Sequence, residues 1–345
     1  MKLGLIGLEQ AGKATIFEAL TSAELSPGAR TESQIGTIRV PDERVDILGR
    51  LYNPRKTIYA QVEYFLPAGQ PQGREKRAGE QPYWTLVRDC DALIHCVRNF
   101  DLFGSQAPTP LKDYRRLDQE LIFEDLIVVE KRLERLALDR KRGKKPDPEE
   151  QRLLERCKES LESEHPLRET PELAQAHKLR GFALLSAKPQ LALFNNADED
   201  DRLPNLTAGP AEADAMVIRG KLEQELARMG PEEAAEFQAE FGVAAAAADR
   251  IIQRSYTLLG LVSFFTVGED EVRAWTIRQA TPAVDAAEVI HSDIKKGFIR
   301  AEVLAYTDLM VAGSYAAARK QGTVRLEGKH YEVHDGDIIN FRFNV

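Results

Sequence analysis

A glycine-bearing segment near the start of the chain, Gly7–Thr15, constrains the fold more than any other feature of the sequence. It follows an apolar run at Lys2–Gly7, which favours a buried strand, and it precedes a helix-favouring run at Ala14–Leu20. A strand, a glycine loop and a helix in that order form a P-loop, in which main-chain N–H groups and the positive end of the helix surround phosphate oxygens. The segment therefore predicts an α/β domain with a phosphate site between its first strand and first helix.

Lys13 is the residue of this segment with the clearest chemical role. Its ammonium group supplies a full positive charge to the β- and γ-phosphates, while the glycines allow the backbone N–H groups to point inward. The residues predicted to contact phosphate are Gly7, Gln10, Ala11, Gly12, Lys13, Ala14 and Thr15. The alternative is a glycine-bearing βα turn whose lysine is exposed to solvent.

One position departs from the usual pattern Gly-x-x-x-x-Gly-Lys-Ser/Thr. Ala14 follows the lysine, so the hydroxyl group that normally holds Mg²⁺ is missing. Thr15 comes one residue later and points about 100° further round the helix, so it does not simply replace that ligand. A bound nucleotide is therefore expected to hold Mg²⁺ weakly or in a rearranged way, and no metal site of the protein itself is predicted.

Further strand candidates indicate the kind of sheet to which the P-loop belongs. They are Arg39–Val45, Tyr59–Leu66, Ala92–Val97, Phe182–Leu185 and Gln190–Phe194. The run Ala92–Val97 is continuously apolar, as in a parallel strand that is buried on both faces. Strands separated by helical stretches favour a doubly wound, mostly parallel α/β sheet.

The segment from Lys112 to Arg142 differs from its surroundings, because it is highly charged and contains neither glycine nor proline. Leu126, Val129, Leu133 and Leu136 recur in it at the spacing of one apolar helix face. After Gly143 and Pro146, a second helix is predicted with Leu154, Cys157 and Leu161 on one side and with Asp147 and Glu150 as a capping pair. An antiparallel helical hairpin is expected, either as a structural spacer or as a docking arm for a large partner.

The last part of the chain has a different character. Pro231–Ala248 and Ile251–Leu261 favour helices, whereas Thr276–Val345 is rich in β-branched residues and turn signals. Asp335-Gly336 lies between two apolar stretches and predicts a β-hairpin. A small α+β domain of about 70 residues is therefore expected at this end.

Composition limits the remaining choices. The chain has 345 residues and a net charge of −8, which suits two or three domains and argues against nucleic-acid binding over the whole surface. The basic run Arg140–Lys145 is either a solvated helix end or a local contact patch. Cys90, Cys96 and Cys157 have no metal-ligand spacing and are expected to be buried thiols. With no apolar run of 18 residues, neither a membrane span nor a membrane partner is expected. The chain is further expected to be cytoplasmic and a monomer.

Longer motifs resemble those of the YchF family, the Obg-like ATPases, over nearly the whole chain. The P-loop lies at the same place, and the other matching segments are Val40–Arg44, Asp91–Arg98, Glu130–Leu133, Glu271–Thr276, His291–Asp293, Lys296–Glu302, Gly336-Asp337 and Phe341–Val345. The resemblance implies a P-loop NTPase domain at 1–108 and 173–274, a helical coiled-coil insertion at 109–172 and a TGS domain of the β-grasp, ubiquitin-like type at 275–345. It also implies ATP or GTP as the ligand and a ribosome or RNA as a partner of the helical arm and the TGS-like domain.

The resemblance further implies a base-recognition motif Asn-x-x-Glu in place of the Asn-Lys-x-Asp of ordinary GTPases. Asn196-Ala197-Asp198-Glu199 supplies such a motif directly after the predicted strand that ends at Phe194. The aspartate of ordinary GTPases accepts hydrogen bonds from the guanine N1 and N2 groups. Moving and lengthening that carboxylate disrupts the paired contact, so Asn196 and Glu199 are predicted to bind the base and to favour ATP.

Two other positions depart from the family pattern. Leu66, in Leu66-Pro67-Ala68-Gly69, stands where the family has an aspartate that supports Mg²⁺, and the threonine of switch I has no clear counterpart near Thr31. Gln70 occupies the place of a hydrolytic glutamine, but without a proper metal site it is a weak candidate for positioning water.

Three readings of the function remain open at this point. The first is a nucleotide-binding protein with slow or absent hydrolysis that acts with the ribosome. The second is a scaffold that binds a protein or RNA without nucleotide turnover, and the third is a competent NTPase whose metal is held by Thr15, Glu9 or Glu63. His291 and Asp293 are either parts of an ordinary turn or contacts to RNA or a partner.

Overall fold

The computed structural model describes residues 1–26, 32–69, 83–207, 209–211, 214–240 and 247–344. Contacts divide the chain into two compact units. The first unit contains Met1–Gly36 and Glu63–Ile251, and the second contains Thr37–Val62 and Ile252–Val345. The units are described separately below.

The strands, in chain order, are β1 (Lys2–Ile6), β2 (Gln34–Arg39), β3 (Lys56–Ile58), β4 (Gln61–Leu66), β5 (Ala92–Asn99), β6 (Gln190–Asn196), β7 (Ala215–Ile218), β8 (Leu261–Val267), β9 (Glu271–Arg278), β10 (Phe298–Ala305), β11 (Arg325–Glu327) and β12 (Asp337–Phe343). The helices are α1 (Lys13–Thr21), α2 (Glu43–Tyr52), α3 (Tyr83–Val87), α4 (Pro110–Lys141), α5 (Pro148–Glu162), α6 (Pro171–Ala174), α7 (Gly220–Leu226), α8 (Pro231–Glu240), α9 (Ala247–Leu258), α10 (Ala283–Ile290), α11 (Ser292–Lys296), α12 (Tyr306–Ala312) and α13 (Tyr315–Gln321). Short 3₁₀ segments lie at Leu167–Glu169 and His177–Phe182. Among the described residues, no helix combines the length and the apolar character that crossing a membrane requires.

The sheet of the first unit has the strand order β2-β4-β1-β5-β6-β7. β1 pairs in parallel with β4 on one side and with β5 on the other, and β6 and β7 continue in parallel. Strands β1, β5 and β6 are buried over most of their length, as expected where helices cover both faces of a parallel sheet. The prediction of a mostly parallel α/β sheet is confirmed. Because the strand order reverses at β1, the carboxyl ends of β1 and β5 lie where such sheets bind ligands.

Helices α4 and α5 form the predicted hairpin within the first unit. α4 has 32 residues and is therefore about 48 Å long. Its predicted apolar stripe is confirmed, because Val129 and Leu136 are buried and Leu126 and Leu133 pack against the same cluster. The buried residues that α5 adds to this core are Leu153, Leu154, Cys157 and Leu161. The hairpin is thus held together by a continuous apolar seam.

The predicted cap of the second hairpin helix is also present, but it differs in one contact. Asp147 Oδ1 accepts hydrogen bonds from the main-chain N–H groups of Glu149 and Glu150 at 3.0 and 3.4 Å. The Glu150 carboxylate forms a two-point ion pair with Arg132 on α4, at 2.7 and 3.0 Å, and so it ties the two helices together. One end of the hairpin is therefore fixed by charge as well as by apolar packing.

The second unit has a mixed sheet with the strand order β11-β10-β12-β8-β9-β3. β10 pairs antiparallel with β11 and β12, β8 pairs antiparallel with β9, and the pairs β12–β8 and β3–β9 are parallel. One face of this sheet packs on α10, and its core includes Phe264, Phe298 and Phe341 with ring centroids 6.0 Å apart at two edge-on contacts. An α+β unit at the carboxyl end was expected and is found.

The bounds of this unit differ from the expected division of the chain. The expected boundary between 274 and 275 falls inside β9, which is hydrogen-bonded to β8 along its whole length. Residues 37–62, expected in the nucleotide-binding domain, group with the second unit, and β3 pairs there with β9. The limits of the helical insertion at 109 and 172 stay a prediction.

Two predicted strands are wrong, and each error has an identifiable physical reason. In Arg39–Val45 only Arg39 lies in a strand, because the Asp42 carboxylate accepts from the main-chain N–H of Arg44 at 3.0 Å and starts α2. Phe182–Leu185 follows a 3₁₀ segment instead of forming a strand. The main-chain N–H groups of Leu185 and the next residue donate to the buried carboxylate of Asp125, at 2.9 and 2.6 Å.

The predicted hairpin at Asp335-Gly336 is also wrong. β12 pairs with β10 and β8, which are distant in sequence, and the preceding stretch contributes only an isolated bridge at Glu332. The Asp335 carboxylate accepts from the main-chain N–H of Ser263 at 2.9 Å and from the Arg44 guanidinium at 2.7 Å. The turn residues therefore anchor long-range contacts within the second unit.

His291 and Asp293 take part in an ordinary helix start. His291 is the N-cap residue of α11, and its Nδ1 accepts from the main-chain N–H of Asp293 at 3.2 Å. The two side chains are 64% and 49% exposed, so the cap leaves them open to solvent. Their conformation is accounted for without a partner.

Candidate functional site

The loop between β1 and α1 has the tight backbone that its glycines predicted. Gly12 has a φ of 83°, and Gln10 has a φ of 62°, both in the left-handed region. A Cβ atom at Gly7 would lie 2.5 Å from the carbonyl oxygen of Cys96 on β5. A Cβ atom at Gly12 would collide with the side-chain amide of Asn195 on β6. Glycine is therefore required at both positions by close approach to neighbouring strands.

The side chain of Lys13 lies inside this loop. Its Nζ donates to the carbonyl oxygens of Gly7 and Leu8, at 2.7 and 2.8 Å. Burial lowers the pKa of Lys13, while the nearby Cys96 and Glu9 raise it by a smaller amount. An ammonium group has three N–H donors, so two are used on main-chain oxygens. Phosphate oxygens can replace these neutral acceptors and would gain a charge-assisted contact.

The start of α1 offers further donors. Gly12 is its N-cap residue and provides no side-chain cap, and the first main-chain bond into the helix runs from Ile16 N–H to the Gly12 carbonyl at 2.9 Å. The N–H groups of Lys13, Ala14 and Thr15 belong to the first turn, which has no intrahelical acceptors. These donors, together with the helix dipole, form an anion-binding arrangement next to the lysine.

Asn195, at the end of β6, holds the loop in place. Its Nδ2 donates to the carbonyl oxygen of Ala11 at 3.2 Å, and its Oδ1 accepts from the main-chain N–H of Gly220 at 3.0 Å. The side chain is 4% exposed. A single buried amide thus connects the phosphate loop with the start of α7. The sequence analysis did not single out Asn195. The signal that could have found it is the pair of consecutive asparagines at the end of a buried strand.

The predicted base-binding residues Asn196 and Glu199 are not brought to the loop. Asn196 follows Asn195 in the same strand and faces the other side of the sheet, since successive strand residues alternate. Its Oδ1 accepts from Asn99 Nδ2 at 2.9 Å, and its Nδ2 donates to the carbonyl oxygen of Arg202 at 2.8 Å. Glu199 is exposed. Asp198, which lies between them, contacts the first turn of α7, because its Oδ1 accepts from Leu222 N–H at 3.3 Å.

The positions that usually support Mg²⁺ carry no metal ligands in the described part of the chain. Ala14 presents a methyl group, and Leu66 at the end of β4 is 7% exposed and apolar. The alternative ligand Glu63 pairs with Lys2 in the register of β1 and β4, so it lies at the opposite end of these strands from the loop. No group of three or more His, Cys, Asp and Glu residues suited to a metal occurs among the described residues. These side chains do not fit a protein-held Mg²⁺.

Two other expectations concern the switch segments, and both Thr31 and Gln70 lie outside the described residues. In the described part, the hydroxyl oxygen of Ser33 accepts a hydrogen bond from the main-chain N–H of Ala68 at 3.0 Å. The segment after β4 is therefore tied to the start of β2 by a serine.

A small pocket borders the loop on the side of β5, and two of its lining residues, His95 and Cys96, are kept neutral by burial. It is lined by Leu8, Glu9, Ala11, His95, Cys96, Val97, Arg98 and Asp113. Burial lowers the pKa of His95 to about 3, and burial raises the pKa of Cys96 to about 12. The His95 ring stacks on Tyr114 with centroids 4.8 Å apart, and Gln190 Nε2 is 3.2 Å from its Nδ1. His95 is therefore an uncharged packing residue near Lys13, and all three cysteines are free and buried, as predicted.

The strand order and the lysine-bearing glycine loop after β1 define a P-loop protein of the α/β class. The family model YchF-GTPase_C, described as a protein of unknown function (DUF933), matches residues 261–344. The chain is 37% identical over 361 residues to the "Ribosome-binding ATPase YchF" of Bacillus subtilis (strain 168), covering 99% of both chains. It is 34% identical to the protein of the same name from Haemophilus ducreyi, covering 100% of this chain and 99% of that one. The chain belongs to the YchF family.

Solved structures agree with this assignment. The Schizosaccharomyces pombe YchF GTPase superposes with a TM-score of 0.85 at 28% identity, covering 99% of this chain and 97% of that one. A GTP binding protein from Pyrococcus horikoshii OT3 superposes with a TM-score of 0.62 at 19% identity over the full length of both chains, which shows a shared fold.

Proposed function

We propose that this chain binds a purine nucleoside di- or triphosphate, ATP or GTP in the cell, at Gly7–Thr15 and hydrolyses it slowly or not at all. The observation that carries the proposal is the position of Lys13 Nζ inside the loop, where it contacts only main-chain oxygens of Gly7 and Leu8 among the described residues. Within the described part of the chain no carboxylate forms a salt bridge with the ammonium group, and the nearby Glu9 favours its charged form, so an incoming phosphate meets an available positive charge. The helix start at Lys13–Thr15 adds main-chain donors on the same side.

Slow or absent hydrolysis is supported by the side chains at the metal positions. Ala14 and Leu66 offer no oxygen to Mg²⁺, so a nucleotide-bound cation would be held by phosphate and water alone. Mg²⁺ contributes several kcal/mol to phosphoryl transfer by offsetting developing charge, and each 1.4 kcal/mol corresponds to a factor of about ten in rate. The loss of two protein contacts therefore supports a rate lower by orders of magnitude, while binding through Lys13 is kept.

We also propose that the ribosome or its RNA is the partner. The named relatives are called ribosome-binding ATPases, and the α4–α5 hairpin gives this chain an arm of about 48 Å. Its turn carries exposed basic residues, which suit phosphate oxygens of RNA: Arg140, Lys141, Arg142, Lys144 and Lys145. We assign the coiled-coil role to this hairpin and the TGS-like role to the carboxyl-terminal unit. A ribosomal partner supports a cytoplasmic location, and the described residues of the site belong to one chain, which supports a monomer.

Ala14 and Leu66 also favour a second candidate function, a scaffold that binds its partner without nucleotide turnover. Ala14 and Leu66 are compatible with complete loss of hydrolysis. Phosphate release under steady-state conditions distinguishes the two. Turnover that disappears in Lys13→Ala excludes the scaffold without turnover.

Calorimetric titration of the full chain with ADP, ATP, GDP and GTP, with and without Mg²⁺, tests the main proposal. Lys13→Ala is expected to weaken binding of every nucleotide by at least about tenfold, because it removes a charged phosphate contact. Lys131→Ala, which removes an exposed lysine on α4, serves as the matched control and should bind as the wild type does. The proposal is wrong if the wild type binds no nucleotide or if Lys13→Ala binds equally well. Ala14→Ser combined with Leu66→Asp should raise Mg²⁺-dependent turnover, and an unchanged rate would contradict the account of slow hydrolysis.

A further inference from the structure

One face of the sheet in the second unit carries an arginine cluster, Arg300, Arg319 and Arg342, around a single buried carboxylate. The side chain of Glu302 on β10 is only 7% exposed. Its Oε1 accepts from Arg319 Nη2 on α13 at 2.7 Å and from Arg342 Nη2 on β12 at 2.8 Å. Arg300 lies two residues before Glu302 in β10 and therefore on the same face of the sheet. One negative charge thus stands against three positive charges.

Arg300 is the member of the cluster whose charge is not balanced. Its side chain is exposed, and the part of the chain that the structure describes gives it no ion-pair partner. In the register of β10 and β12 it lies directly opposite Arg342. Like charges directly opposite each other in an antiparallel pair are destabilising. A bound anion would offset this repulsion, so the pairing of Arg300 with Arg342 favours an anion site on this face.

Two tyrosine hydroxyl groups of the same unit lack hydrogen-bond partners. Burial is the main cause that raises the pKa of Tyr315, while Glu302 adds to the rise and Arg319 opposes it, so the phenol lies within electrostatic reach of the cluster. Burial and the neighbouring Tyr315 raise the pKa of Tyr52 on α2. Both hydroxyl groups are buried and have no hydrogen-bond partner among the described residues. A buried hydroxyl group without a partner costs free energy, and a ligand oxygen would supply that partner.

We propose that the arginine cluster, together with the hydroxyl groups of Tyr315 and Tyr52, binds the phosphate group of a small phosphomonoester or free phosphate. Such a group carries a charge of about −1.5 to −2 and several tetrahedrally arranged oxygens, so it can accept from donors that approach from different directions. A carboxylate is planar and carries a single charge, and a phosphodiester has only two free oxygens. Arginine forks match phosphate oxygens in pairs. This site lies outside the phosphate loop, and it does not depend on the proposed nucleotide function.

Urea unfolding of the full chain, followed by the fluorescence of Trp275, measures this binding. Trp275 packs against the core of the second unit and is the only tryptophan left in a Trp84→Phe background. A ligand that binds the folded state raises the unfolding midpoint as its concentration increases, and this dependence gives its affinity. The probes are inorganic phosphate and ribose 5-phosphate, each compared with sodium chloride at the same ionic strength. Because phosphate also stabilises folded proteins without binding, each variant is compared with a matched control.

The variants remove one donor at a time. Arg300→Gln should weaken the phosphate affinity by at least about tenfold. Without phosphate it should unfold at a higher urea concentration than the background chain, because the repulsion with Arg342 is relieved. Tyr315→Phe should weaken phosphate binding without lowering the midpoint in the absence of phosphate, since it removes a hydroxyl group that has no partner. The control is Arg55→Gln, at an 84% exposed arginine beside β3 on the other edge of the sheet, and it should behave like the background chain.

The result that overturns the proposal is an Arg300→Gln variant that responds to phosphate as Arg55→Gln does, because the arginines would then only hold β10, β12 and α13 together. A midpoint that responds to phosphate no more than to sodium chloride also overturns it. Lys13→Ala should keep the response, and its loss in that variant would assign the binding to the phosphate loop instead.

Two further comparisons identify the ligand. A stronger response to ribose 5-phosphate than to inorganic phosphate supports a phosphomonoester, and equal responses support free phosphate. An RNA oligonucleotide without terminal phosphates should not raise the midpoint. If it does so through Arg300 while both phosphate probes fail, the cluster binds phosphodiesters and the proposal is wrong.

Discussion

The buried imidazole of His95 makes the first unit sensitive to acid, and this sensitivity can be calculated. His95 lies on β5 beside the phosphate loop, is 1% exposed and stacks on Tyr114. Burial is the main cause that lowers its pKa from 6.5 to about 3, and the charges of Arg168 and Lys13 act in the same direction. Replacement by glutamine removes the titration and keeps an acceptor for the amide of Gln190, which is 3.2 Å from His95 Nδ1.

The sign and the size follow from proton linkage. Between pH 6.5 and about 3 the unfolded chain binds a proton at His95 and the folded chain does not. Stability therefore falls as the pH is lowered through this range, by about 1.4 kcal/mol per pH unit where the difference is complete. From pH 6 to pH 4 the integrated loss due to this one residue is about 2.5 kcal/mol. Between pH 6 and pH 4, the free energy of unfolding of His95→Gln should therefore fall by about 2.5 kcal/mol less than that of the wild type. At pH 7 the variant should be less stable than the wild type, because glutamine stacks less well on Tyr114.

Urea unfolding followed by tryptophan fluorescence measures this difference. Trp84 is buried in the first unit and Trp275 lies in the second, so a Trp275→Phe background makes the signal specific for the first unit. The free energy of unfolding is measured at pH 6, 5 and 4 for the wild type and for His95→Gln. His177→Gln, at an exposed histidine of the same unit, is the control and should follow the wild type. Parallel pH profiles for wild type and His95→Gln would refute the reasoning, because the imidazole would then not be excluded from protonation.

Three further predictions concern the site and the helical hairpin. Burial lowers the pKa of Lys13, and a bound phosphate favours its charged form, so nucleotide affinity should decrease as the pH rises above neutral. Calorimetry over a pH series measures this decrease, which Lys13→Ala should lack. Asn195→Ala leaves two buried main-chain groups without their partner, so it should destabilise the first unit by about 2–4 kcal/mol. It should also weaken the binding of GDP and of ADP to the same extent. Urea unfolding and nucleotide affinity that both stay unchanged would contradict the role of Asn195 in holding the loop. Leu154→Ala, at a side chain with no exposed surface between α4 and α5, should destabilise the hairpin by about 3 kcal/mol in thermal unfolding, whereas exposed Leu138→Ala should change it little.

The phosphate loop shows how much a local pattern can specify. The spacing of Gly7, Gly12 and Lys13 predicted strand, loop and helix, because the required backbone conformations and the helix start are encoded within a few residues. The same reasoning predicted Asn196 as a base contact, which stays a prediction, and it did not identify Asn195 as the residue that contacts the loop. The sequence does not distinguish between the two consecutive asparagines. Only the pleat of β6 determines that Asn195 faces the loop and that Asn196 faces Asn99.

Two of the errors in secondary structure, at Asp335-Gly336 and at Phe182–Leu185, have a common cause. Local alternation suggested a hairpin at Asp335-Gly336, yet Asp335 bonds to Ser263 and Arg44, which are distant in sequence. Likewise, the apolar run Phe182–Leu185 suggested a strand, but the main-chain N–H groups of Leu185 and Ser186 donate to the buried carboxylate of Asp125. In each case a long-range polar contact outweighed a weak local preference.

The sequence by itself determined the parallel core strands, the phosphate loop and the two-helix arm, because each depends on a periodic or glycine pattern that acts over neighbouring residues. It also predicted that Ala14 and Leu66 lack the usual metal ligands, since that prediction depends on side-chain chemistry alone. Only the tertiary structure decided that Asn195 clamps the loop, that Asp198 faces the neighbouring segment and that Glu63 lies at the far end of its strand. Which face of a strand a side chain occupies, and which distant main-chain group it meets, follows from packing of the whole chain.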